Sequence, residues 1–428
     1  MASRKSYTIV IKLGTSSLVD EVTREPRIAN IAHIVETVVK LRRENHRIVI
    51  VSSGAIAFGM KKIGMDTKPK RLSAVQALAS VGQGELVALF DDFFKQVNQP
   101  IGQILLTRND ILDYTQYKNA TNTMNELLSM GIIPIVNEND TLSVREIKFG
   151  DNDTLSAITA GMIHADCLFL MTDVACLYTD NPRNNPDAKP IFIVENINDL
   201  DNTVKTDESI AGTKVGTGGM TTKIIAAELA SNAGVTTIVT LSSKPDAILS
   251  IVKNIQSITK EELSSQERRY LVTHRIEKRE LPMHTTILGL SRDVKIRSDK
   301  KFWILHGLKT KGSICIDTGC FKALTRKNRA GLLPAGIVSV QGFFHASECV
   351  SIKLVPHKDA TPEEYIDVGR CRVNYSSSEI NLIKGSHSHD IESILGFGDS
   401  EYVAHREDLA FSPHLPQKML ISMLDNDK

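Results

Sequence analysis

The stretch Ile132-Ile-Pro-Ile-Val-Asn-Glu-Asn-Asp-Thr141, followed closely by Phe149-Gly-Asp-Asn-Asp-Thr-Leu-Ser156, is the most informative part of this sequence. Its first residues form an apolar run of strand length that ends in a polar, acidic turn. Because open α/β sheets bind ligands beyond the carboxyl ends of their strands, this turn predicts a site for a small polar substrate. The second turn places Asn152 and Asp153 at a helix start, where capping alone explains one such residue. Two Asx-rich turns in succession therefore favour a ligand site.

Length and composition are those of a globular protein with more than one domain. The chain has 428 residues, 42% of them hydrophobic, and a formal net charge of +1. This length predicts two or three domains. Since no apolar stretch reaches the length of a membrane span, and the first residues lack the apolar core of a secretory signal, we expect a cytoplasmic protein.

The cysteines give no sign of a metal site. They form no Cys-x-x-Cys pair and have no spacing suited to zinc, so we expect reduced and mostly buried thiols. The six are Cys167, Cys176, Cys315, Cys320, Cys349 and Cys371.

Apolar runs alternate with helical patterns from the N-terminus to about residue 256. This alternation predicts an α/β fold, an open and mostly parallel sheet sandwiched by helices. Helices are predicted over 27–44, from residue 54, near 119–129, over 155–163 and over 224–230. The predicted strands are residues 7–13, 47–51, 101–106, 131–136, 167–171 and 236–240.

The C-terminal part has a different pattern. Residues 257–299 begin with a charged, helical stretch that Pro282 ends, and this pattern predicts a linker or insertion. Short β-type runs with turns between them then predict a small β-barrel-like domain over 300–400, followed by a tail over 401–428. These runs are residues 302–305, 313–316, 336–340 and 349–352. Residues 285–355 carry 12 Lys or Arg against 4 Asp or Glu, a local excess that can attract polyanions, although solvated strand faces more often explain it.

Two glycine-containing loops have the composition of phosphate-binding elements, although neither has the spacing of a P-loop or a protein-kinase glycine loop. Lys12-Leu-Gly-Thr-Ser16 places a lysine at the end of the first strand, and Gly216-Thr-Gly-Gly-Met-Thr-Thr-Lys223 precedes a helix. Backbone amides at helix starts, together with lysines, can flank a transferring phosphoryl group. One lysine at a strand end is more often simply solvated, so the prediction depends on both loops and both Asx turns occurring in this order.

This combination resembles the amino acid kinase family, and within it the kinases of the glutamate γ-carboxylate that carry a C-terminal PUA domain. The resemblance covers residues 7 to about 256, and residues 300–395 resemble the PUA domain. It is carried by the strings IKLGTSS, IVIVSSGAIAFG, QILLTR, PIVNEND, IKFGDNDTLSA, LMTDVACLYTDNPR and GTGGMTTK. Cys176 stands where such kinases often have glycine, and we interpret it as a packed small residue.

The resemblance implies a role for each matching residue. Lys12, Lys223 and Asp153 are the implied catalytic residues, with Asp153 orienting the lysines or the substrate. The implied substrate-binding residues are Ser53, Asp140, Asn152 and Lys148, with Asp140 paired to the substrate ammonium. The implied ATP-binding residues are Lys12, Gly14, Thr172, Asp173, Thr217, Gly218, Gly219, Met220, Thr221, Thr222 and Lys223.

The implied reaction is ATP-dependent phosphorylation of L-glutamate, with Mg²⁺ held mainly by ATP, as the first step of proline biosynthesis. A carboxylate acceptor with a pKa near about 4.3 is ionised at neutral pH, so no general base is required. The resemblance also implies inhibition by proline, a homo-oligomer, and RNA as a partner of the PUA-like domain. Because an acyl phosphate hydrolyses or cyclises readily, a complex with γ-glutamyl phosphate reductase is a further hypothesis.

Two alternatives stay open at this point. A related kinase could act on aspartate, N-acetylglutamate or a nucleoside monophosphate, although the doubled Asx turns and the PUA-like domain argue against it. The protein could instead bind RNA through that domain. Against this second alternative, Trp303, Phe321, Phe343 and Phe344 occupy strand-like positions typical of a core.

Overall fold

A computed structural model of the chain divides it into two compact units, Met1–Asp293 and Val294–Lys428. It describes residues 6–20, 22–143, 151–180, 182, 185–200, 219–258, 263–289, 299–326, 330–357, 359–398 and 400–412. Lys148, Thr217 and Gly218, which the sequence predicts as binding residues, lie outside the described residues.

The first unit is built on an eight-stranded sheet of order β3-β4-β2-β1-β5-β9-β10-β8, and six adjacent strands from β3 to β9 are parallel. All six strands predicted from the sequence belong to this parallel part. Strand β10 is antiparallel to β9 and parallel to β8, and β6 and β7 form a separate hairpin. The strands are β1 (Thr8–Leu13), β2 (Arg47–Ser52), β3 (Ile101–Leu106), β4 (Ile133–Glu138), β5 (Cys167–Thr172), β6 (Leu177–Tyr178), β7 (Pro190–Ile191), β8 (Ile193–Val194), β9 (Thr236–Leu241) and β10 (His284–Ile287).

Helices cover both faces of this sheet. On one face Ile9, Ile11 and Phe169 pack with apolar residues of α2, α4 and α9 into one buried cluster. The predicted helices are confirmed, whereas α1, α4, α5 and α9 were not predicted. The helices are α1 (Thr15–Leu18), α2 (Ile28–Arg43), α3 (Ala55–Ile63), α4 (Leu72–Lys95), α5 (Arg108–Leu112), α6 (Tyr114–Ser129), α7 (Asn152–Met162), α8 (Met220–Asn232), α9 (Ala247–Ile258) and α10 (Ser265–Glu277).

The charged stretch that begins at residue 257 belongs to the first unit, which corrects its interpretation as a linker. Helix α10 begins with a capping box between Ser264 and Glu267 and buries Val272 and Ile276, one turn apart. These two side chains join a small apolar cluster with residues of β8 and α9. Strand β10 then enters the large sheet, so the first unit extends beyond residue 256 to Asp293. The many charged residues of α10, two of which (Arg268 and Arg275) are half-buried and bond to Glu195 and Asn254, conceal this narrow apolar stripe in the sequence.

Helix α4 crosses α3 at very short distance because both helices have a glycine at the crossing. A Cβ atom on Gly82 would lie 1.7 Å from the Ala55 carbonyl oxygen, and one on Gly59 would lie 1.9 Å from the Leu78 carbonyl oxygen. By length and composition α4 is apolar enough to cross a membrane, which corrects the expectation that no apolar stretch reaches that length. Its residues Leu86, Phe90 and Phe94 belong to the buried cluster and 22% of its apolar stretch is buried, so one face of α4 packs into the core of this unit.

The second unit contains a five-stranded sheet of order β12-β11-β13-β14-β15. Strands β11 and β13 are parallel, and the other neighbouring pairs are antiparallel. The strands are β11 (Thr310–Ile316), β12 (Ile337–Gly342), β13 (Cys349–Leu354), β14 (Ile366–Arg372) and β15 (Leu409–Phe411); the helices are α11 (Asp299–Phe302), a π-helical turn (Trp303–Gly307), α12 (Thr318–Thr325), α13 (Ser377–Ile383) and α14 (Ile391–Leu395).

Three expectations for this unit were wrong. Residues 302–305 are helical rather than a strand. Trp303, Ile304 and Leu305 are all buried, and a fully buried run has no alternation of apolar and polar residues that would distinguish a helix from a strand. The predicted tail contributes β15 to the sheet, although residues 413–428 lie outside the described part. Phe343 is 70% exposed, whereas Trp303, Phe321 and Phe344 are buried as expected.

Candidate active site

The predicted site residues that the structure describes lie at one edge of the parallel sheet. Lys12 is the penultimate residue of β1, Ser53 directly follows β2, and Thr172 ends β5. Asp140 lies in the turn after β4 and is half-buried. Because β4, β2, β1 and β5 are adjacent and parallel, their carboxyl ends meet at the same edge. These four residues therefore lie together at one edge of the sheet, where open α/β sheets bind ligands.

Asp153 is the centre of this edge. It is the second residue of α7, its side chain is fully buried, and it holds two lysines that are far apart in the sequence. The Lys12 ammonium lies 2.5 Å from its Oδ1 atom, and the Lys223 ammonium lies 3.4 Å from its Oδ2 atom. The Thr222 hydroxyl donates to Oδ2 at 2.8 Å. One carboxylate thus fixes the lysines of both glycine-containing loops.

The protonation states of this cluster follow from burial and charge. Burial alone would raise the pKa of Asp153, but Lys12 and Lys223 outweigh it, and the pKa is lowered. Burial lowers the pKa of Lys223, an effect that Asp153 opposes and the positive charge of Lys12 strengthens. Two lysines share Asp153, with Asp151 interacting with Lys12 and Asp173 with Lys223, so two ammonium groups are held together where an anionic ligand can bind them.

The loop after β1 brings backbone close to the Lys12 ammonium. A Cβ atom on Gly14 would lie 3.6 Å from Lys12 Nζ, so the ammonium lies against the backbone where α1 begins. The second glycine-containing loop leads into α8, which begins directly after Gly219, and Lys223 is buried within the first turns of this helix. Met220 and Thr222 are half-buried and Thr221 is exposed, so this helix start is accessible to a ligand.

The amide of Asn152 has a defined orientation. The Glu138 N–H donates to Asn137 Oδ1 at 2.8 Å, which identifies that atom as an oxygen. The Asn152 amide nitrogen donates to this oxygen, to the Ser52 carbonyl and to the Ser53 hydroxyl at 2.8 to 3.0 Å. Its nitrogen is thus engaged by the protein, and its carbonyl oxygen is the atom that can accept a hydrogen bond from a ligand.

Several residues of this edge were not predicted. Asn137 is 2% exposed and donates to Gln83 Oε1 of α4 at 2.7 Å, which links the Asx turns to that helix. Glu138 is buried and accepts from the Ser143 hydroxyl at 2.8 Å. Asp151 caps α7 by accepting from the Thr154 N–H, and burial raises its pKa. Asn137 and Glu138 lie within the quoted Asx turn and could have been found there, whereas nothing in the sequence pairs Gln83 with this turn.

The described residues do not provide a protein cage for a metal ion. Across the described ranges no group of three or more His, Cys, Asp or Glu side chains is placed to hold one. Thr172 and Asp173 lie next to each other at the end of β5, where the Thr172 hydroxyl donates to Asp173 at 3.1 Å. The donor set fits a cation that arrives on a nucleotide and keeps most of its ligands from phosphate and water.

Fold and site together define a phosphotransferase of the α/β class. The chain belongs to the amino acid kinase family, whose model matches residues 7–241, and a PUA domain model matches residues 312–395. A "Probable glutamate 5-kinase" of Schizosaccharomyces pombe is 53% identical over 406 residues, 95% of this chain and 94% of that protein. An "Uncharacterized protein" of Saccharomyces cerevisiae is 50% identical over 423 residues, 96% and 99% of the two chains. A "Glutamate 5-kinase" of Rippkaea orientalis is 42% identical over 405 residues, 94% and 98% of the two chains.

Proposed function

We propose that this protein transfers the γ-phosphoryl group of ATP to the γ-carboxylate of L-glutamate and forms L-glutamyl 5-phosphate. The observation that carries the proposal is the Lys12–Asp153–Lys223 cluster, located between the Asx turns and the glycine loop of α8. Relatives named as glutamate 5-kinases, which this chain matches over nearly its whole length, supply the identity of the acceptor. The same names support a place at the first step of proline biosynthesis.

In this reaction a carboxylate oxygen of glutamate forms a bond to the γ-phosphorus, and the bond between that phosphorus and the β,γ-bridging oxygen breaks to release ADP. The acceptor is already an anion, so no proton has to be removed. The barrier arises from bringing two anions together, and the ammonium groups of Lys12 and Lys223 reduce this repulsion. Asp153, held ionised by both lysines, positions them and does not act as a base.

The acceptor side of the site suits an amino acid. The Asn152 carbonyl oxygen and the Asp140 carboxylate provide acceptor atoms for the substrate ammonium at the ends of neighbouring elements. Ser53 is positioned by its hydrogen bond with Asn152 and by the turn at Gly54, whose φ of 107° favours glycine. A carboxylate paired with the substrate ammonium would distinguish glutamate from N-acetylglutamate, which has no such charge.

The nucleotide side is formed by the ends of β5 and α8. Thr172, Asp173 and residues 219–223 lie next to Lys223 and would contact ATP. When bound to the nucleotide, Mg²⁺ neutralises charge on the phosphate oxygens. The six cysteines form no disulfide and five of them are buried, which supports a location in the reducing cytoplasm.

The proposal is tested by ATP-dependent hydroxamate formation with hydroxylamine, L-glutamate and Mg²⁺. Aspartate and N-acetylglutamate are run in parallel, and ADP release is followed with UMP. We expect a product with glutamate that disappears in Lys223→Ala. Activity with another acceptor would identify a different amino acid kinase. Absence of product from folded protein, combined with tight salt-dependent RNA binding, would replace the proposal with a function in RNA binding.

A further inference from the structure

A threonine of β10 binds the hairpin that follows the nucleotide end of β5. Thr285 is fully buried, and its side-chain hydroxyl makes two hydrogen bonds with backbone groups more than ninety residues away in sequence. The Leu177 N–H donates to this hydroxyl at 2.7 Å, and the hydroxyl donates to the Ile191 carbonyl. Leu177 and Ile191 are opposite each other in the hairpin of β6 and β7, so one hydroxyl joins both of its strands to the large sheet.

The hairpin determines where the chain goes after Thr172. Only residues 173–176 separate the end of β5 from Leu177. The near end of this segment is fixed within β5 and by the Ser242 N–H, which donates to the Thr172 carbonyl at 2.7 Å. Its far end is fixed by Thr285. Asp173, which is exposed at this edge, thus lies in a short connection that is held at both ends.

We propose that Thr285 is a positioning residue for nucleotide binding, which acts by holding the β6–β7 hairpin and thereby the Thr172–Asp173 segment against the ATP site. The inference rests on the proposed function, because it takes this segment as the nucleotide contact. Thr285 itself lies away from the Lys12–Asp153–Lys223 cluster in sequence and belongs to a strand that contributes none of the predicted site residues.

The placement of Thr285 makes its effect specific to one substrate. Ser53 and Asp140 of the acceptor side follow β2 and β4, which lie on the other side of the central strand β1 from β9 and β10. Loosening the hairpin should therefore weaken the affinity for ATP and leave the affinity for glutamate unchanged. A general loss of stability would instead change both.

The neighbouring threonine provides a matched control. Thr286 lies on the same strand, is also fully buried, and is opposite Ile238 of β9. Within the described part of the chain its hydroxyl makes no hydrogen bond. Replacing threonine by valine at this position thus removes a hydroxyl of the same kind without removing a contact to the hairpin.

The experiment compares Thr285→Val, Thr285→Ser and Thr286→Val with the wild type. We expect Thr285→Val to raise the KM for ATP about tenfold, because two backbone groups lose their buried partner. The KM for glutamate should stay unchanged, Thr285→Ser should restore ATP binding, and Thr286→Val should behave as wild type. Titration calorimetry with a non-hydrolysable ATP analogue measures nucleotide affinity without any acceptor, so the test stands even if glutamate is not the substrate.

Two results would overturn the inference. Unchanged nucleotide affinity in folded Thr285→Val would show that the hairpin does not position the ATP site. A parallel rise in both KM values, matched by Thr286→Val, would show that β10 contributes only general stability. If Thr285→Val does not fold, Thr285→Ala is measured instead and judged by the same criteria. A failed hydroxamate assay with retained nucleotide binding would contradict the proposed acceptor and not this inference.

Discussion

At the scale of single residues, the site combines function with a cost in stability. Lys12, Asp153 and Lys223 are each at most 7% exposed, and the two lysines share this one buried carboxylate, with Asp151 and Asp173 as the further anions that interact with them. A buried charge in excess of its partners destabilises the folded state unless a ligand compensates it. Burial of the Lys223 ammonium has a cost that Asp153 and Asp173 offset only in part, so an anionic ligand would stabilise the cluster further.

This organisation predicts that Lys223→Met stabilises the unliganded protein while it abolishes catalysis. The lost lysine leaves Asp153 paired with Lys12 and hydrogen-bonded to Thr222, so we expect a gain of about 1 kcal/mol in unfolding free energy. The kcat should fall by about a hundredfold or more. Thermal unfolding and the hydroxamate assay measure the two effects. Lys62→Met, which removes an exposed pair with Glu85, is the control and should change neither.

The pH dependence of this stability difference has a defined sign. Because the pKa of Lys223 is lowered in the folded protein, the charged lysine costs stability at neutral pH. The cost disappears as pH rises from the lowered folded value to 10.5, the ordinary pKa of lysine, since the folded state then releases its proton first. The unfolding free energy of the wild type should thus approach that of Lys223→Met as pH rises through this window. If Lys223→Met is less stable than the wild type at pH 7, the pairing of Lys223 with Asp153 contributes more to stability than the burial of its charge costs.

The residues of the site were predictable where local chemistry determines their place. Lys12, Ser53 and Asp140 follow apolar strand runs, and Asn152 and Asp153 occupy a helix start, so strand order alone brings them together. Gln83 and Thr285 were not predictable. Each makes its contact across 54 to 108 residues, and a glutamine in a helix or a threonine in a strand carries no local sign of its partner.

At the scale of elements, the crossing of α3 and α4 supports the acceptor side of the site. Helix α3 begins two residues after Ser53, and Gln83 of α4 binds Asn137. Both connections depend on the short distance that Gly59 and Gly82 allow between the helices. Displacement of either helix would move residues that we assign to glutamate binding.

We therefore predict that Gly82→Ala lowers the unfolding free energy by at least about 3 kcal/mol and raises the KM for glutamate, because the new methyl group would overlap the Ala55 carbonyl. Gly84→Ala is the matched control. It lies one half-turn away in the same helix with no atom within 4 Å of the added Cβ, so it should stabilise the protein by about 1 kcal/mol. Chemical denaturation and glutamate saturation curves test the pair; equal effects of the two substitutions would disprove the role of the crossing.

Elements were predicted well where they are long and periodic. The six parallel strands and α2 have strong apolar patterns, and their positions were found within a few residues. The two-residue strands β6, β7 and β8 were missed because so short a segment has no measurable period. Strand β10 was missed for a different reason: its sequence His-Thr-Thr-Ile is polar, and only its pairing with β9 and β8 in the sheet makes it buried.

At the scale of the whole molecule, the chain carries two separate hydrophobic cores. The core of the first unit is formed by residues between Tyr7 and Ile255, with a smaller cluster that includes residues of β8 and α10. The core of the second unit lies between Ile314 and Leu409. The change of pattern after residue 300 revealed the second unit in the sequence. The first unit was predicted to end too early, at residue 256, because the charged α10 was interpreted as lying outside it.

Because each core is confined to its own unit, we predict two transitions in calorimetric unfolding. A non-hydrolysable ATP analogue should raise the midpoint temperature of the first unit's transition only, since a ligand stabilises only the cooperative unit that binds it. Phe344→Ala removes a fully buried ring of the second core and should lower only the other transition, by about 3 to 5 kcal/mol in unfolding free energy. A single transition that moves with both the nucleotide and Phe344→Ala would show that the two cores unfold as one, and the PUA-like unit would then have to be treated as part of the kinase's cooperative structure.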